Sequence, residues 1–552
     1  MQIKFLNSCL QSHTNLHIQL RQKYQIVNKI NYKILVNKQI INIQKLLNLI
    51  NSNNQQMNNE GIQNFSSALS KCINIQSLQL EMNKNEISSE SMQNLSSGLA
   101  KCINLQTLSL EISDQLNDQS VSSLCLALLQ FTKLSVLNLS LNQNAFGILG
   151  VQSLASALEK QVNLTTLKLF LNHNNISEEG TSILGKAISN CIKLSTLVLS
   201  IVFNLFALKQ TKKLGLNLSN CTEIQDLQLI LDGYQIGQDG ILELSQILTN
   251  CKKISSLSLD LSNHIIGIEG AKILSSALKQ VVNIKTLELV FSYCDVGQNG
   301  IECITSSLES NKNLSSLQLN CCESSIASFG LQNLSQNLSK FNNLSTLKLN
   351  LQFNQIEEES TSSLGFTLQN LTNLSSLSLE LSHQKIGDKS MEGLSFAFKK
   401  ANILSHLFLD LRYNKIGNSG LSSLALALEN CSNLSTLLLY FKQNQIGSQG
   451  ILDLASGLKK CTNISKLTLS FILNSICDEG VQGLGLALTN CTHLTILRLE
   501  LSRNKISYSC ASYLALQLNS CARLSTFIIE LMIQIKHKSC NQEKNIAKQR
   551  DQ

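Results

Sequence analysis

Apolar residues recur along this chain with a period of thirty. Counting from Cys72, equivalent positions fall at Cys102, Phe131, Gln161, Cys191 and then every thirty residues to Cys521, sixteen copies with a single-residue deletion in the second. Three residues after each start stands Leu or Ile, as in Ile75, Leu105 and Leu524. Leu follows three further on in fifteen copies, with Phe527 in the last, and the next two alternate positions are apolar too, as in Leu377, Leu379 and Leu381. Alternation with a period of two predicts a short strand with one buried face. Asn then stands in nine copies (Asn85, Asn144, Asn174, Asn204, Asn354, Asn414, Asn444, Asn474 and Asn504), and its amide is expected to turn inward and satisfy backbone groups where the chain leaves the strand. Gly follows at one or both of two positions, as in Gly417/Gly420, Gly447/Gly450 and Gly267/Gly270, where a tight turn or close packing excludes a side chain. From there the spacing changes to i, i+3, i+7, as in Leu421, Leu424 and Leu428, which predicts a helix of about three turns lying over the strand. A degenerate earlier copy begins near Ile40.

A strand and a helix of this size cannot bury their apolar faces alone, so the repeats are expected to stack into a solenoid with one continuous interior. The pattern Leu-x-x-Leu-x-Leu-x-Leu-x-x-Asn-x-Ile-Gly-x-x-Gly-x-x-x-Leu-x-x-x-Leu resembles a leucine-rich repeat of the ribonuclease-inhibitor-like class, over roughly residues 40–531. That resemblance implies an α/β horseshoe with a parallel concave sheet and convex helices. The thirty-residue period and the additional Leu-x step depart from the family pattern and imply a wider strand wall and altered curvature. The expected organisation is a basic N-terminal segment, 1–39, the repeat array, 40–531, and a basic polar tail, 532–552.

Net charge is +8, but residues 1–59 alone carry seven Lys or Arg and no acid. The tail from Met532 adds +3, which leaves the array between 60 and 531 at −2. A nearly neutral array does not form a nucleic-acid groove. The basic N-terminal segment suits contact with an anionic surface. No apolar run reaches the ~18 residues of a membrane span, and "MQIKFLNSCL" breaks at Asn7 and Ser8 before a signal-peptide core, so a cytoplasmic protein with reduced thiols is expected. Pro and Trp are both absent.

Chemistry has few candidates. Nine copies put Cys at the slot where helix returns to strand (Cys72, Cys102, Cys191, Cys221, Cys251, Cys431, Cys461, Cys491 and Cys521). Because Val281, Asn311, Phe341, Leu371 and Ala401 occupy the same slot, the expected role is that of a small apolar filler rather than a ligand or redox group. Cys9, His13 and His17 have helical i, i+4, i+8 spacing but no fourth ligand, and no metal or cofactor is expected. No Ser/His/Asp set and no kinase motif occurs, so no catalytic residue is assigned and the chain is expected not to be an enzyme. Since some related arrays act with a small GTPase or a protein kinase, a regulatory module working with such a partner on a separate chain is the alternative. Arg412 and Arg503, just after strands, are its candidate fingers.

The letters that vary between the buried Leu positions should face outward on the concave wall. There Phe408, Asp410, Tyr413, Leu438 and Tyr440 fall on adjacent repeats beside Glu380, and Phe170, Val198 and Ile230 make a second, weaker patch. Exposed aromatics beside carboxylates point to a protein-binding hot spot, with a basic partner suiting the flanking acids. The expected function is therefore a non-enzymatic protein-binding scaffold that uses its concave face.

Overall fold

The computed structural model describes residues 59–530 apart from 86, 114, 205–217, 219, 234–235 and 400. All of these lie in one compact unit, Leu47–Gln552. The segment 1–39 with Cys9, His13 and His17, the degenerate copy near Ile40 and the tail 532–552 lie outside the described residues.

Each of the sixteen copies yields one five-residue strand, and the strands pair in chain order into a single sheet. Pairing is parallel and joins equivalent residues, Leu377 to Leu407 to Leu437. The deletion is absorbed outside the sheet, since Leu108 still faces Leu137. Burial keeps this register: a slip of one residue would turn every strand Leu to the opposite face. Leu377, Leu379 and Leu381 are at most 2 % exposed, and the equivalents in other repeats are buried with them in one continuous core. The additional Leu-x step extends the ladder past each strand, because the Leu381 N–H donates to Asp410 O at 2.8 Å.

Helices cover one face of the sheet, mostly eleven to thirteen residues long, as in Asn418–Leu428 and Ser448–Leu458. The helix Asp388–Ser395 is shorter and ends in a 3-10 turn, Phe396–Phe398. The paired glycines admit a cap from the preceding repeat. Asp388 Oδ1 accepts from Gly417 N at 2.7 Å and Gly420 N at 3.0 Å, and a Cβ on Gly420 would lie 2.6 Å from that oxygen. Asn418 does the same for Gly447 and Gly450 at 2.7 and 3.1 Å. The orphan N–H groups of one helix are thus satisfied by a neighbour's side chain, which couples adjacent repeats.

The tightest helix contact is at Gly365, where a Cβ would come within 2.0 Å of Gly393 O. Gly365→Ala is expected to lose ~1–3 kcal/mol to this clash, more than the ~1 kcal/mol that Ala gains over Gly in a helix. A lowered urea midpoint is the measurement, and an unchanged or raised midpoint would contradict the packing.

Candidate functional site

The helix-free face of the sheet carries the varying residues, as the alternation requires: in strand Thr436–Tyr440, Leu437 and Leu439 are buried while Thr436, Leu438 and Tyr440 are half-buried. Register places Phe408 beside Leu438 and Asp410 beside Tyr440. The Phe408 and Tyr440 rings meet at 5.6 Å with a 50° tilt, the arrangement favoured by ring quadrupoles. On the next strand Thr468 and Ser470, in register with Leu438 and Tyr440, are only 4 % and 2 % exposed, so this part of the face is already close-packed before any partner arrives.

The structure changes the expected electrostatics of this patch. Asp410 is 2 % exposed and gripped by Arg412 through Nε to Oδ1 at 2.7 Å and Nη2 to Oδ2 at 2.5 Å, so it is not a free carboxylate. The same grip occupies one of the two guanidiniums named for the GTPase reading, whereas Arg503 forms no ion pair among the described residues. Arg498 likewise bridges Glu500 at 2.5 Å and Glu530 at 2.8 Å. Glu380, adjacent to Asp410 in register, accepts from Gln352 Nε2 at 2.6 Å and forms no ion pair among the described residues. Burial raises its pKa, with the Asp410 charge adding to the effect against the Gln352 hydrogen bond.

Tyr413 belongs to a different feature, one the sequence did not suggest. Three residues past most strands a non-glycine residue adopts positive φ, as in His173 (55°), Phe203 (52°), Phe353 (58°), His383 (57°) and Tyr413 (56°), with Gly233 (82°) at the same position after Asp226–Ile230. The ladder enforces this conformation: His383 N donates to Arg412 O at 3.0 Å and Tyr413 N to Lys442 O at 2.8 Å. Equivalent residues of stacked repeats stand one strand spacing apart, so aromatic rings in this column must stack. Phe353 and His383 lie 4.1 Å apart, His383 and Tyr413 4.1 Å, and Lys442 Nζ caps Tyr413 at 5.2 Å.

In the second patch, Phe170 and Ile230 are half-buried on either side of Ser200, but Val198 is 8 % exposed and contributes to packing rather than to a surface. His173 and Phe203 stack beside it at 4.9 Å. Between the two patches lie Asp232, Asp260 and Glu288, which form no ion pair among the described residues and instead accept from Asn263, Ser262 and Ser258 at 2.6, 2.7 and 2.9 Å. Burial raises the Asp260 pKa, and the charges of Asp232 and Glu288 push the same way against the hydrogen bonds from Ser262.

The Cys ladder is buried except at its two ends, where Cys72 and Cys521 are half-buried, and no described cysteine is in a disulfide. Burial pushes the thiols up to about 12 in Cys102, Cys221 and Cys461 and about 11 in Cys191, which disfavours the free thiolate that redox chemistry uses. The slot is more than an apolar filler, however. The thiols of Cys102, Cys191 and Cys461 donate to the carbonyls of Leu69, Leu158 and Leu428 at 3.6, 3.7 and 3.3 Å, and Gln161 serves Leu128 O at 2.8 Å. Among the described residues no group of three His, Cys, Asp or Glu side chains is placed to hold a metal ion.

A further surface lies on the helical side. One column of helix positions is apolar through the C-terminal third, with Phe366, Leu426, Leu486 and Leu516 all exposed and Phe396 stacked on Phe366 at 4.5 Å. Its signal is a second thirty-residue period, Phe366, Phe396, Leu426, Leu486, Leu516, with Ser456 as the one gap.

No protein-family model matches the chain, and no curated protein matches it in sequence. Among solved structures it is similar to a leucine-rich repeat protein of Leptospira interrogans, with 17% identity and a TM-score of 0.37, covering 84% of this chain and 91% of that one. It is also similar to a chain of the Rad7 and Elc1 complex from yeast, at 16% identity and a TM-score of 0.39, covering 85% of this chain and 94% of that one. Overlaps of this quality carry no functional argument. The strand and helix recurring every thirty residues, the parallel in-register sheet and the Leu core of this chain itself make it a leucine-rich repeat solenoid of the α/β class.

Proposed function

We propose that the chain is a non-enzymatic protein-binding scaffold of the ribonuclease-inhibitor-like kind, working in the cytoplasm and holding its partner on the helix-free face of the sheet. The observation that carries this reading is the cluster of Phe408, Leu438 and Tyr440, half-buried side by side on adjacent strands and flanked by the buried Thr468 and Ser470 of the next strand. Aromatic anchors in a close-packed, desolvated setting are what binding hot spots are made of. Asp232, Asp260 and Glu288 add free negative charge farther along the face, and a partner with a basic segment complements them. No helix among the described residues is long and apolar enough to cross a membrane.

Phe408→Ala and Tyr440→Ala together are expected to weaken partner capture about 30-fold. The measurement compares proteins from the native cell retained by immobilised wild-type chain and by the double variant, at low and high salt. Loss of one defined set from the variant, with retention that falls as salt rises, supports the reading. Identical retention profiles would remove this face as the binding surface.

A further inference from the structure

The C-terminal end of the described array is an open cross-section of the core. In the last strand, Thr526–Glu530, Phe527 is 53 % exposed, whereas its equivalents Leu467 and Leu497 are fully buried. Ile528 is 44 % exposed on the sheet face, and on the last helix Tyr508 and Leu516 are 75 % and 68 % exposed. One edge of this strand is paired: Thr526 N donates to Thr495 O at 3.1 Å and Glu530 O accepts from Leu501 N at 2.9 Å. Hydrogen-bonding directions alternate along a strand, so the groups of Phe527 and Ile529 point the other way, where no described strand follows. The edge carries no Pro, no Lys and no bulge to discourage pairing.

Beyond it, through residue 552, the letters depart from the repeat pattern. Continuing the register by thirty puts Lys544 and Lys548 where Leu514 and Leu518 stand, positions that hold Leu, Ile or Phe in every described repeat from Leu95 and Leu99 onward. Two charges in the core slots of a helix would have no partners there.

The strand is, however, complementary to itself. Laid antiparallel on a second copy with Ile528 on the twofold axis, Phe527 faces Ile529, Thr526 faces Glu530, and the outward groups of Phe527 and Ile529 form the hydrogen-bonded pairs. The core then runs unbroken from one copy into the next, no like charges oppose each other, and the two last helices come side by side on the same layer. We propose that this end is a homodimer interface in which two chains join edge to edge through Thr526–Glu530. An interface of this kind is isologous, so it closes at two copies.

The test is the mass of the full chain in solution, by sedimentation at increasing concentration. Twice the chain mass is expected. Ile528→Lys, which sets two like charges across the axis, is expected to weaken association about 100-fold, and Ile528→Glu likewise. An equimolar mixture of the two variants is expected to regain the dimer, a recovery that a folding defect cannot produce. Leu126→Lys, exposed on a distant helix, is expected to leave the mass unchanged. A monomeric wild type at ~50 μM, a dimer indifferent to both Ile528 variants, a mixture that stays monomeric, or dimerisation that appears only after residues 536–552 are removed would each overturn the proposal, the last by assigning the end to the chain's own tail.

Discussion

Asn354→Leu is expected to lose ~4 kcal/mol of local stability, the largest effect of any single substitution considered for this chain. The side chain is 2 % exposed and serves five backbone groups. Oδ1 accepts from Ser324 N at 3.1 Å and Ile326 N at 3.0 Å in the preceding repeat. Nδ2 donates to Cys321 O at 2.6 Å and to Leu351 O and Gln352 O at 3.0 Å. Leu keeps the branched outline, though with bulkier methyl groups, but offers neither donor nor acceptor, so buried N–H and C=O groups of two successive repeats are left without partners at ~1–3 kcal/mol each. The full sum will not be reached, because the loop can relax and bifurcated bonds share their strength. Solenoid stability is close to a sum of nearest-neighbour terms, so the loss should concentrate at the junction of these repeats. Amide hydrogen exchange is the measurement: protection at Ser324 and Ile326 should fall by about a thousandfold while that around Leu108 stays as it was. Uniform loss of protection along the chain, or none, would contradict the view that each Asn holds one junction.

What was legible in the sequence follows from which physical constraints repeat. Burial imposes the same demand on every copy, so Leu377, Leu379 and Leu381 announced the strand, and the spacing of Leu421, Leu424 and Leu428 announced the helix. The inward Asn was legible for the same reason. Its substitutes were harder to see, because what the slot conserves is a donor at the right reach rather than a residue type: Cys294 serves Leu261 O at 2.8 Å, Gln384 serves Leu351 O at 2.6 Å, and Ser324 serves Phe291 O. The Cys slot hides a donor in the same way, which is why reading it as an apolar filler captured only half of its role. The positive-φ column left little compositional mark, since among its described members only Gly233 and Asn263 are of the types that favour it. Gly or Asn would normally signal that conformation, but elsewhere the ladder bonds hold Lys84, His173 and Tyr413 in it regardless of side chain. Within the candidate site, adjacency of Phe408, Leu438 and Tyr440 was predictable from register alone. The pairing of Asp410 with Arg412 was not, because it depends on a guanidinium folding back across two residues, a choice of rotamer that spacing does not determine.

His264 gives the array one junction that is expected to open in acid. It takes the Asn slot and is fully buried, with Nε2 3.0 Å from Leu231 O and Nδ1 3.4 Å from the Ile236 N–H. Those partners require the neutral ring protonated at Nε2, donating to the carbonyl and accepting from the amide; a second proton on Nδ1 would face an N–H. Burial holds the folded-state pKa down at about 4, against the opposing pull of the Leu231 carbonyl, from an ordinary 6.5. Since the folded value is the lower, the unfolded chain binds the proton more readily, and stability present above pH ~6.5 drains away as pH falls toward ~4. At 1.36 kcal/mol per unit the full loss is ~3 kcal/mol. The neighbouring Asp260 has its pKa raised, so its contribution runs the other way, growing rather than shrinking as pH falls through its range. A comparison with His264→Asn separates the two, because Asn fills the same slot in other repeats without titrating. The difference in urea midpoint between wild type and variant should be small at pH 7.5 and should grow in the variant's favour down to pH 4.5, with exchange protection at Ile236 failing first. Parallel pH profiles for the two proteins would mean that His264 is either not buried neutral or already protonated in the folded state.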